Sequence, residues 1–243
     1  MSLYVKPSGR FIFWAILSHQ TFDMLTAELI NNNIPRLQLQ DSVSKALQLI
    51  NDFRVTHLPV VAEEKYLGMI SEDDLLDVEE EKGTIEFLQE NFVPAFVKEN
   101  EHFLNAVKCS NQFETTIVPV TNEERELVGV ITVTDLLKAL GDFSGANEIG
   151  GIIVMEMERS QFAISEISRI VESNDSTVLH LNTTIQPDTG LLTVSLHLNK
   201  KEIAAIVSAF ERYDYDIIYY FGDEKFENEI HSNYRHLMSY LDI

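Results

Sequence analysis

The spacing of hydrophobic positions changes several times along this chain, and the changes mark its secondary structure. In residues 41–53, DSVSKALQLINDF, apolar side chains recur every three or four positions, which is typical of an amphipathic helix beginning at Asp41 or Ser42. Short apolar runs follow in residues 57–61 and 66–70, with the charged turn AEEK between them. We expect two strands there, followed by a short helix that Ser71 caps. The pattern predicts the order strand, helix, strand, strand, helix.

The same pattern occurs again later in the chain. The octet GMISEDDL, residues 68–75, returns as GVITVTDL, residues 129–136. The alignment extends in both directions, and Pro35 then coincides with Pro94. An internal repeat of this length predicts two copies of one structural unit.

The repeated order of an entry proline, a helix, a strand ending in Pro-Val and the motif Gly-x-Ile-Ser/Thr-x-x-Asp resembles the CBS domain. Two such domains in tandem, here residues 24–82 and 83–141, resemble a Bateman module. The resemblance implies a pseudo-twofold pair with two clefts between the repeats. It further implies that the clefts bind AMP, ADP, ATP or another adenosyl compound, and that no cofactor is required.

The resemblance assigns ligand contacts to Ser71 and Asp74 in the first octet and to Thr132 and Asp135 in the second. A hydroxyl at a helix N-terminus lies beside unpaired backbone N–H groups, which favour a phosphate. A carboxylate one turn further on can accept two hydrogen bonds from a ribose diol. The same spacing is also an ordinary helix start, so simple capping remains the alternative.

Three further candidates precede the Pro-Val strands: Thr56, Thr116 and His57. The two threonines occupy matching positions and could contact a base or phosphate, although β-branched residues are also common in strands. His57 has Ile117 as its counterpart, and the alternative for His57 is a partly buried structural histidine.

The two octets differ in their charged neighbours. Acidic residues surround the first octet, and the only nearby base is Lys65; these acids are Glu63, Glu64, Glu72, Asp73, Asp77, Glu79, Glu80 and Glu81. The second octet has no acid at its two variable positions and is followed by Lys138. Because carboxylates repel a phosphate, we expect the second site to be the better one.

After a glycine-rich linker at 142–150, residues 151–222 show the order βαββαβ, which predicts a ferredoxin-like sandwich. This domain resembles an ACT domain, so the expected fold class is α+β, and the whole chain resembles the acetoin-utilisation type of CBS-ACT protein. ACT domains that bind amino acids often carry a glycine between the first strand and helix. The sequence ERSQF, residues 158–162, has none, so amino-acid binding is not expected.

The hairpin of this domain is predicted from alternating side chains. Alternation assigns Leu179, Leu181 and Ile185 to the helix-covered face, and Val178, His180 and His197 to the open face. The two histidines would lack further ligands, so no metal site is predicted. Residues 223–243 show helical spacing, which suggests packing on a CBS or ACT surface or, alternatively, against a partner protein.

Composition narrows the functional classes. A net charge of -21 at pH 7 argues against nucleic acid and anionic membranes as partners. The single cysteine, Cys109, is expected to be a packing residue and fits a reducing, cytoplasmic setting. Residues 1–23 are predicted to be an extension before the folded part. Their apolar run, FIFWAIL, is too short to span a bilayer.

No nucleophile or phosphate-loop motif is present in the sequence, so we expect a non-catalytic protein. The favoured interpretation is a homodimeric regulatory protein that senses an adenosyl ligand and acts on an unidentified partner. The alternative is a scaffold that keeps both folds for dimerisation without binding nucleotide.

Overall fold

The computed structural model describes residues 24–78 and 83–223. The predicted N-terminal extension and the predicted C-terminal helix after Asp223 lie outside these ranges. The chain divides into two compact units, Met1–Ala139 and Leu140–Ile243. They contain the repeated region and the predicted ferredoxin-like domain, respectively.

Both repeats show the predicted order of elements. The first consists of β1 (Leu37–Gln38), α1 (Val43–Phe53), β2 (His57–Ala62), β3 (Lys65–Ser71) and α2 (Glu72–Leu76). The second consists of β4 (Val97–Lys98), α3 (Phe103–Phe113), β5 (Ile117–Thr121), β6 (Leu127–Thr132) and α4 (Val133–Phe143). Within the described ranges the sheets have the orders β1-β2-β3 and β4-β5-β6, each with one parallel and one antiparallel pair.

The start of α1 is fixed by Ser42 rather than Asp41. The Lys45 backbone N–H donates to Ser42 Oγ at 3.2 Å, which is the N-cap contact. Asp41 instead accepts from the Gln38 backbone N–H at 2.9 Å and from Lys45 Nζ at 2.7 Å. The capping hydroxyl therefore sets the helix boundary, and the neighbouring carboxylate secures the preceding turn.

The segment that leads into each repeat packs on the other repeat. The Asn31 N–H donates to the Val130 carbonyl at 2.7 Å. Met69 and Val93 exchange two backbone hydrogen bonds, of 2.9 and 2.8 Å. Short 3₁₀ turns, Thr26–Leu29 and Ile85–Asn91, precede these contacts. The two repeats are thus joined through their main chains.

The glycine that opens each octet makes this close approach possible. A Cβ at Gly129 would lie 2.4 Å from Ile30 Cγ2 and 2.9 Å from Asn32 Oδ1. A Cβ at Gly68 would lie 2.8 Å from Phe92 Cβ. The octet therefore begins with glycine because the entry segment of the other repeat crosses directly over it.

The second unit has the predicted ferredoxin-like fold. Its elements are β7 (Gly151–Met157), α5 (Ile164–Glu172), β8 (Val178–Ile185), β9 (Leu192–Leu198), α6 (Ala204–Arg212) and β10 (Asp216–Phe221). The four strands are antiparallel in the order β10-β7-β9-β8. Buried side chains of this sheet, such as Ile153, Met155 and Leu196, form one core with Ile167 and Phe210 of the helices. The prediction of an α+β fold with this domain after the repeats is confirmed.

The hairpin β8–β9 departs from simple alternation at its first residues. His180 pairs with His197, as predicted, but the register shifts between Val178 and His180. Val178 packs against the core, and Leu179 is 39% exposed. The predicted faces of these two residues were wrong, because a bulge adds one residue and reverses the side-chain direction.

The last helix of the second repeat continues into the segment predicted as a linker. The boundary between the two units falls between Ala139 and Leu140, inside α4, which ends at Phe143. The Phe143 ring lies edge-on to His180 of β8, with 6.0 Å between ring centroids. Residues 140–143 therefore form the last turn of α4 and are also the first residues of the second unit.

We expect Gly129→Ala to lower the free energy of unfolding by about 1–3 kcal/mol, because the added methyl overlaps the crossing segment. Urea denaturation followed by circular dichroism measures this change. Gly141→Ala is the matched control, since its Cβ would lie 4.0 Å from Ala146 Cβ, within α4. There the substitution should be neutral or stabilising by up to about 1 kcal/mol. Equal effects of both substitutions would contradict the role of Gly129.

Candidate functional site

The first octet places Ser71 and Asp74 in direct contact. Ser71 caps α2: the Asp74 backbone N–H donates to Ser71 Oγ at 3.0 Å, and Ser71 Oγ in turn donates to Asp74 Oδ2. Asp74 Oδ1 accepts from Asn91 Nδ2 at 2.8 Å. Each carboxylate oxygen therefore already accepts one hydrogen bond. Because α2 has only 5 residues, the positive end of its dipole is weak.

The second octet repeats the cap but leaves its carboxylate more available. The Asp135 N–H donates to Thr132 Oγ1 at 3.1 Å, and Thr132 Oγ1 donates to Asp135 Oδ2 at 2.6 Å. Asp135 Oδ1 lies 3.8 Å from Lys138 Nζ, whose side chain is 73% exposed. Such an ion pair is weak and easily rearranged. The helix that starts here, α4, is 11 residues long, so its N-terminus is the better anion site of the two.

Thr56 and Thr116 meet each other at the junction of the repeats. The Thr56 N–H donates to Thr116 Oγ1 at 2.9 Å, and the Thr116 N–H donates to Thr56 Oγ1 at 3.3 Å. The two hydroxyls are 3.2 Å apart. We call this reciprocal contact the threonine pair. Thr56 is exposed and Thr116 is half-buried, so a ligand could still reach both hydroxyls. The two threonines therefore remain predicted ligand contacts, and they also join the two repeats.

The threonine pair is also tied to the start of each octet helix. The Thr56 carbonyl accepts from the Glu72 N–H at 2.9 Å, and the Thr116 carbonyl accepts from the Val133 N–H at 3.0 Å. The first N–H of each helix is thereby used, and the third is used by the capping hydroxyl. A phosphate at either helix would meet fewer unpaired N–H groups than an uncapped helix offers.

His57 belongs to the surroundings of the first octet. It lies opposite Ser71 in the β2–β3 ladder, and its Nδ1 is 2.8 Å from Thr56 Oγ1. Burial lowers the pKa of His57, and the carboxylates of Asp74 and Asp73 only partly oppose that shift. The imidazole is therefore mainly neutral at pH 7. In the second repeat, Ile117 stands opposite Thr132 and is fully buried.

Part of the acidic environment predicted for the first octet lies elsewhere. Glu63 and Glu64 form the turn between β2 and β3, at the opposite end of β3 from Ser71, roughly 20 Å away at the usual rise of a strand. Lys65 lies at the same end and pairs with Glu126 of the second repeat at 3.0 Å. The prediction that Lys65 is a base near the first octet was therefore wrong. Glu72 and Asp73 remain beside it.

Sequence reasoning missed three polar residues of the entry segments. Asn91 contacts Asp74, and its counterpart in the repeat alignment, Asn32, lies beside Gly129. Asn32 and Arg36 line a cleft of about 260 Å³ together with β6 residues 127–130. The recurring asparagine before each entry proline was the available signal. Arg36 has no counterpart, since Ala95 occupies its place.

Cys109 is a packed residue, as predicted. It is buried, and burial is the main reason that the pKa of its thiol rises to about 11.

In residues 24–78 and 83–223, no group of three or more His, Cys, Asp or Glu side chains could hold a metal ion. None of the helices in these same residues is both long and apolar enough to cross a membrane.

We expect the free energy of unfolding to fall as the pH decreases from about 7.5 to 5.5, partly because of His57. Its pKa is lower in the folded than in the unfolded chain, where it is near 6.5, so the unfolded chain binds more protons in this window. His57→Ile, which copies the second repeat, should reduce this pH dependence. Urea denaturation at a series of pH values provides the measurement. Parallel curves for the two proteins would show that His57 contributes nothing.

Comparison with known proteins places the repeats in a family. The model of the CBS domain matches residues 27–81 and 91–142. Inosine-5'-monophosphate dehydrogenase of Methanocaldococcus jannaschii is 26% identical over 113 residues, which are 46% of this chain and 22% of that protein. The chain thus spans about a fifth of the length of this curated relative.

Two solved structures are similar to about half of this chain. A CBS domain pair/ACT domain protein from Thermotoga maritima is 21% identical, and the match covers 49% of this chain and 98% of that chain with a TM-score of 0.45. CBSX2 in complex with AMP is 20% identical, with 49% and 98% covered and a TM-score of 0.43. From the two matches to the family model and the repeated fold, this chain carries two CBS domains in tandem, followed by a ferredoxin-like domain.

Proposed function

We propose that this chain is a non-catalytic regulatory protein whose CBS pair binds an adenosine nucleotide or related adenosyl ligand. The second octet is the principal site. Thr132 and the start of α4 face the phosphate or its equivalent, and Asp135 accepts the hydroxyls of the ribose. The ACT-like domain serves as a dimerisation or output module for an unidentified partner.

The state of Asp135 is the observation that carries this proposal. Its Oδ1 has only the 3.8 Å contact with an exposed lysine among the described residues, although the carboxylate sits at the first turn of a long helix. A carboxylate held by one hydroxyl and open on its other oxygen suits a ribose diol, which donates two hydrogen bonds. The 260 Å³ cleft at residues 127–130 lies along β6, the strand that leads into this helix start, and Asn32 and Arg36 contribute polar groups to its lining.

A scaffold without nucleotide binding is the second candidate. Two features favour it: Asp74 already accepts a hydrogen bond on each oxygen, and the turn after β7 is closed by side chains. In that turn the Glu158 N–H donates to Gln161 Oε1 at 3.0 Å, within the 3₁₀ turn Arg159–Gln161. An amino acid would find no glycine backbone to approach there.

Thermal unfolding with added ligand distinguishes the two candidates. AMP is the first compound to test, followed by ADP, ATP, 5'-methylthioadenosine and S-adenosylmethionine. A ligand present at 100 times its dissociation constant should stabilise the folded state by about 2.7 kcal/mol if it binds only that state. An unchanged unfolding temperature with every compound would favour the scaffold.

We expect Asp135→Ala to weaken adenosyl binding more than Asp74→Ala. Loss of hydrogen bonds to a charged acceptor should cost about 1.5–3 kcal/mol at the second site. Isothermal titration calorimetry measures the affinities, and circular dichroism confirms that each variant remains folded. Equal losses from the two substitutions would refute the ranking of the sites.

We also expect a homodimer in which CBS pairs contact CBS pairs and the ACT-like domains align near the same axis. Closed twofold pairing is the commonest arrangement of soluble homo-oligomers. A ligand between the repeats could change the dimer only to the extent that it binds the two arrangements with different affinity. Light scattering at micromolar concentration should give twice the chain mass of 27.7 kDa. A monomer mass would exclude this assembly.

A further inference from the structure

Asp74 of the first site is held by a side chain from the other repeat. Asn91 Nδ2 donates to Asp74 Oδ1 at 2.8 Å, while Ser71 Oγ occupies Oδ2. Asn91 is the last residue of the 3₁₀ turn Ile85–Asn91. Two residues later, Val93 is fixed by its two backbone hydrogen bonds to Met69 of β3. The backbone pairing of Val93 with Met69 therefore places the Asn91 amide beside the Asp74 carboxylate.

The second site lacks the equivalent contact. Asn32 is the counterpart of Asn91 in the sequence alignment. Its side chain lies beside Gly129, and a Cβ added to that glycine would be 2.9 Å from Asn32 Oδ1. Among the described contacts, Asp135 Oδ1 meets Lys138 at 3.8 Å and no amide. Asn91 lies two residues before Val93, which pairs with Met69, whereas Asn32 lies one residue after Asn31, which pairs with Val130. The entry segments therefore bring an amide to Asp74 and none to Asp135 among the described contacts.

We propose that Asn91 is a specificity residue that closes the first site to ribose and confines adenosyl binding to the second site. The inference rests on the proposed function. A ribose diol binds a carboxylate by donating one hydrogen bond to each oxygen. The Asn91 amide makes one of these bonds itself and fills the space from which the hydroxyl would approach. The ribose must therefore displace Asn91 before it can bind Asp74.

Calorimetric titration with AMP tests this directly on the full chain. The unmodified protein should bind one AMP per chain. Asn91→Ala should gain a second binding event, or tighten a weak one by about ten- to a hundredfold, since a hydrogen bond to a charged acceptor no longer competes. Asn91→Ser, whose side chain is too short to reach Asp74, should behave in the same way and serves if the alanine variant does not fold.

Two further variants show whether the gain arises at the first site. The double variant Asn91→Ala/Asp74→Ala should lose the second event and return to one AMP per chain. Asn32→Ala, the matched control, should leave the number of sites at one. A second event that persists without Asp74 would overturn the inference.

The remaining outcomes separate this inference from the proposed function. One contrary outcome is that the unmodified protein and both Asn91 variants each bind one AMP with affinities that agree within about twofold. That difference is smaller than the contribution of one hydrogen bond. Asn91 then does not close the first site, although the proposed function stands. If the unmodified protein binds a second AMP through Asp74 as tightly as Asn91→Ala does, the inference also fails. If none of these proteins binds AMP or 5'-methylthioadenosine, both the inference and the proposed function fail.

Discussion

The backbone hydrogen bonds between the two repeats are the constraint on which the rest of the CBS pair depends. Val93 and Met69 share two backbone hydrogen bonds, and Asn31 donates to Val130. Met69 and Val130 are buried, so these groups would be costly to leave unpaired. Each repeat therefore needs the other to complete its sheet edge, and any pocket at an octet is built from both.

Local chemistry explains which parts of the site could be predicted from the sequence. The contacts of Thr132 with Asp135 and of Ser71 with Asp74 join residues three positions apart, so the motif alone determines them. The helices and strands also follow from side-chain spacing. The alignment of the repeats placed Thr56 opposite Thr116 in register. It did not indicate that they would bond to each other, because that contact requires the folded pair.

Contacts between distant segments account for what the sequence did not predict. Asn91 reaches Asp74 only because the entry segment crosses to the other repeat. Lys65 looked close to the first octet in sequence, yet an extended strand carries it to the opposite end of the sheet. In the hairpin, a single extra residue at Leu179 reverses the pattern on which the prediction rested.

The two octet helices look alike in sequence but differ in length and in the charges that follow their first turns. Acidic residues continue past Leu76 in the first repeat, beginning with Asp77, and carboxylates are unfavourable at a helix C-terminus. The second helix carries Lys138 in its middle and continues to Phe143. The first site thus combines acidic neighbours with a short helix, and both are unfavourable for a phosphate.

The position of the unit boundary inside α4 limits how such proteins can exchange domains. A recombination event that joined a new domain directly after Ala139 would leave a helix of seven residues, 133–139, which is marginal without further packing. An exchange that preserved the helix would have to carry residues 140–143 along, and the incoming domain would have to accommodate Phe143. The helix that starts at the second octet therefore restricts which domains can follow this CBS pair during evolution.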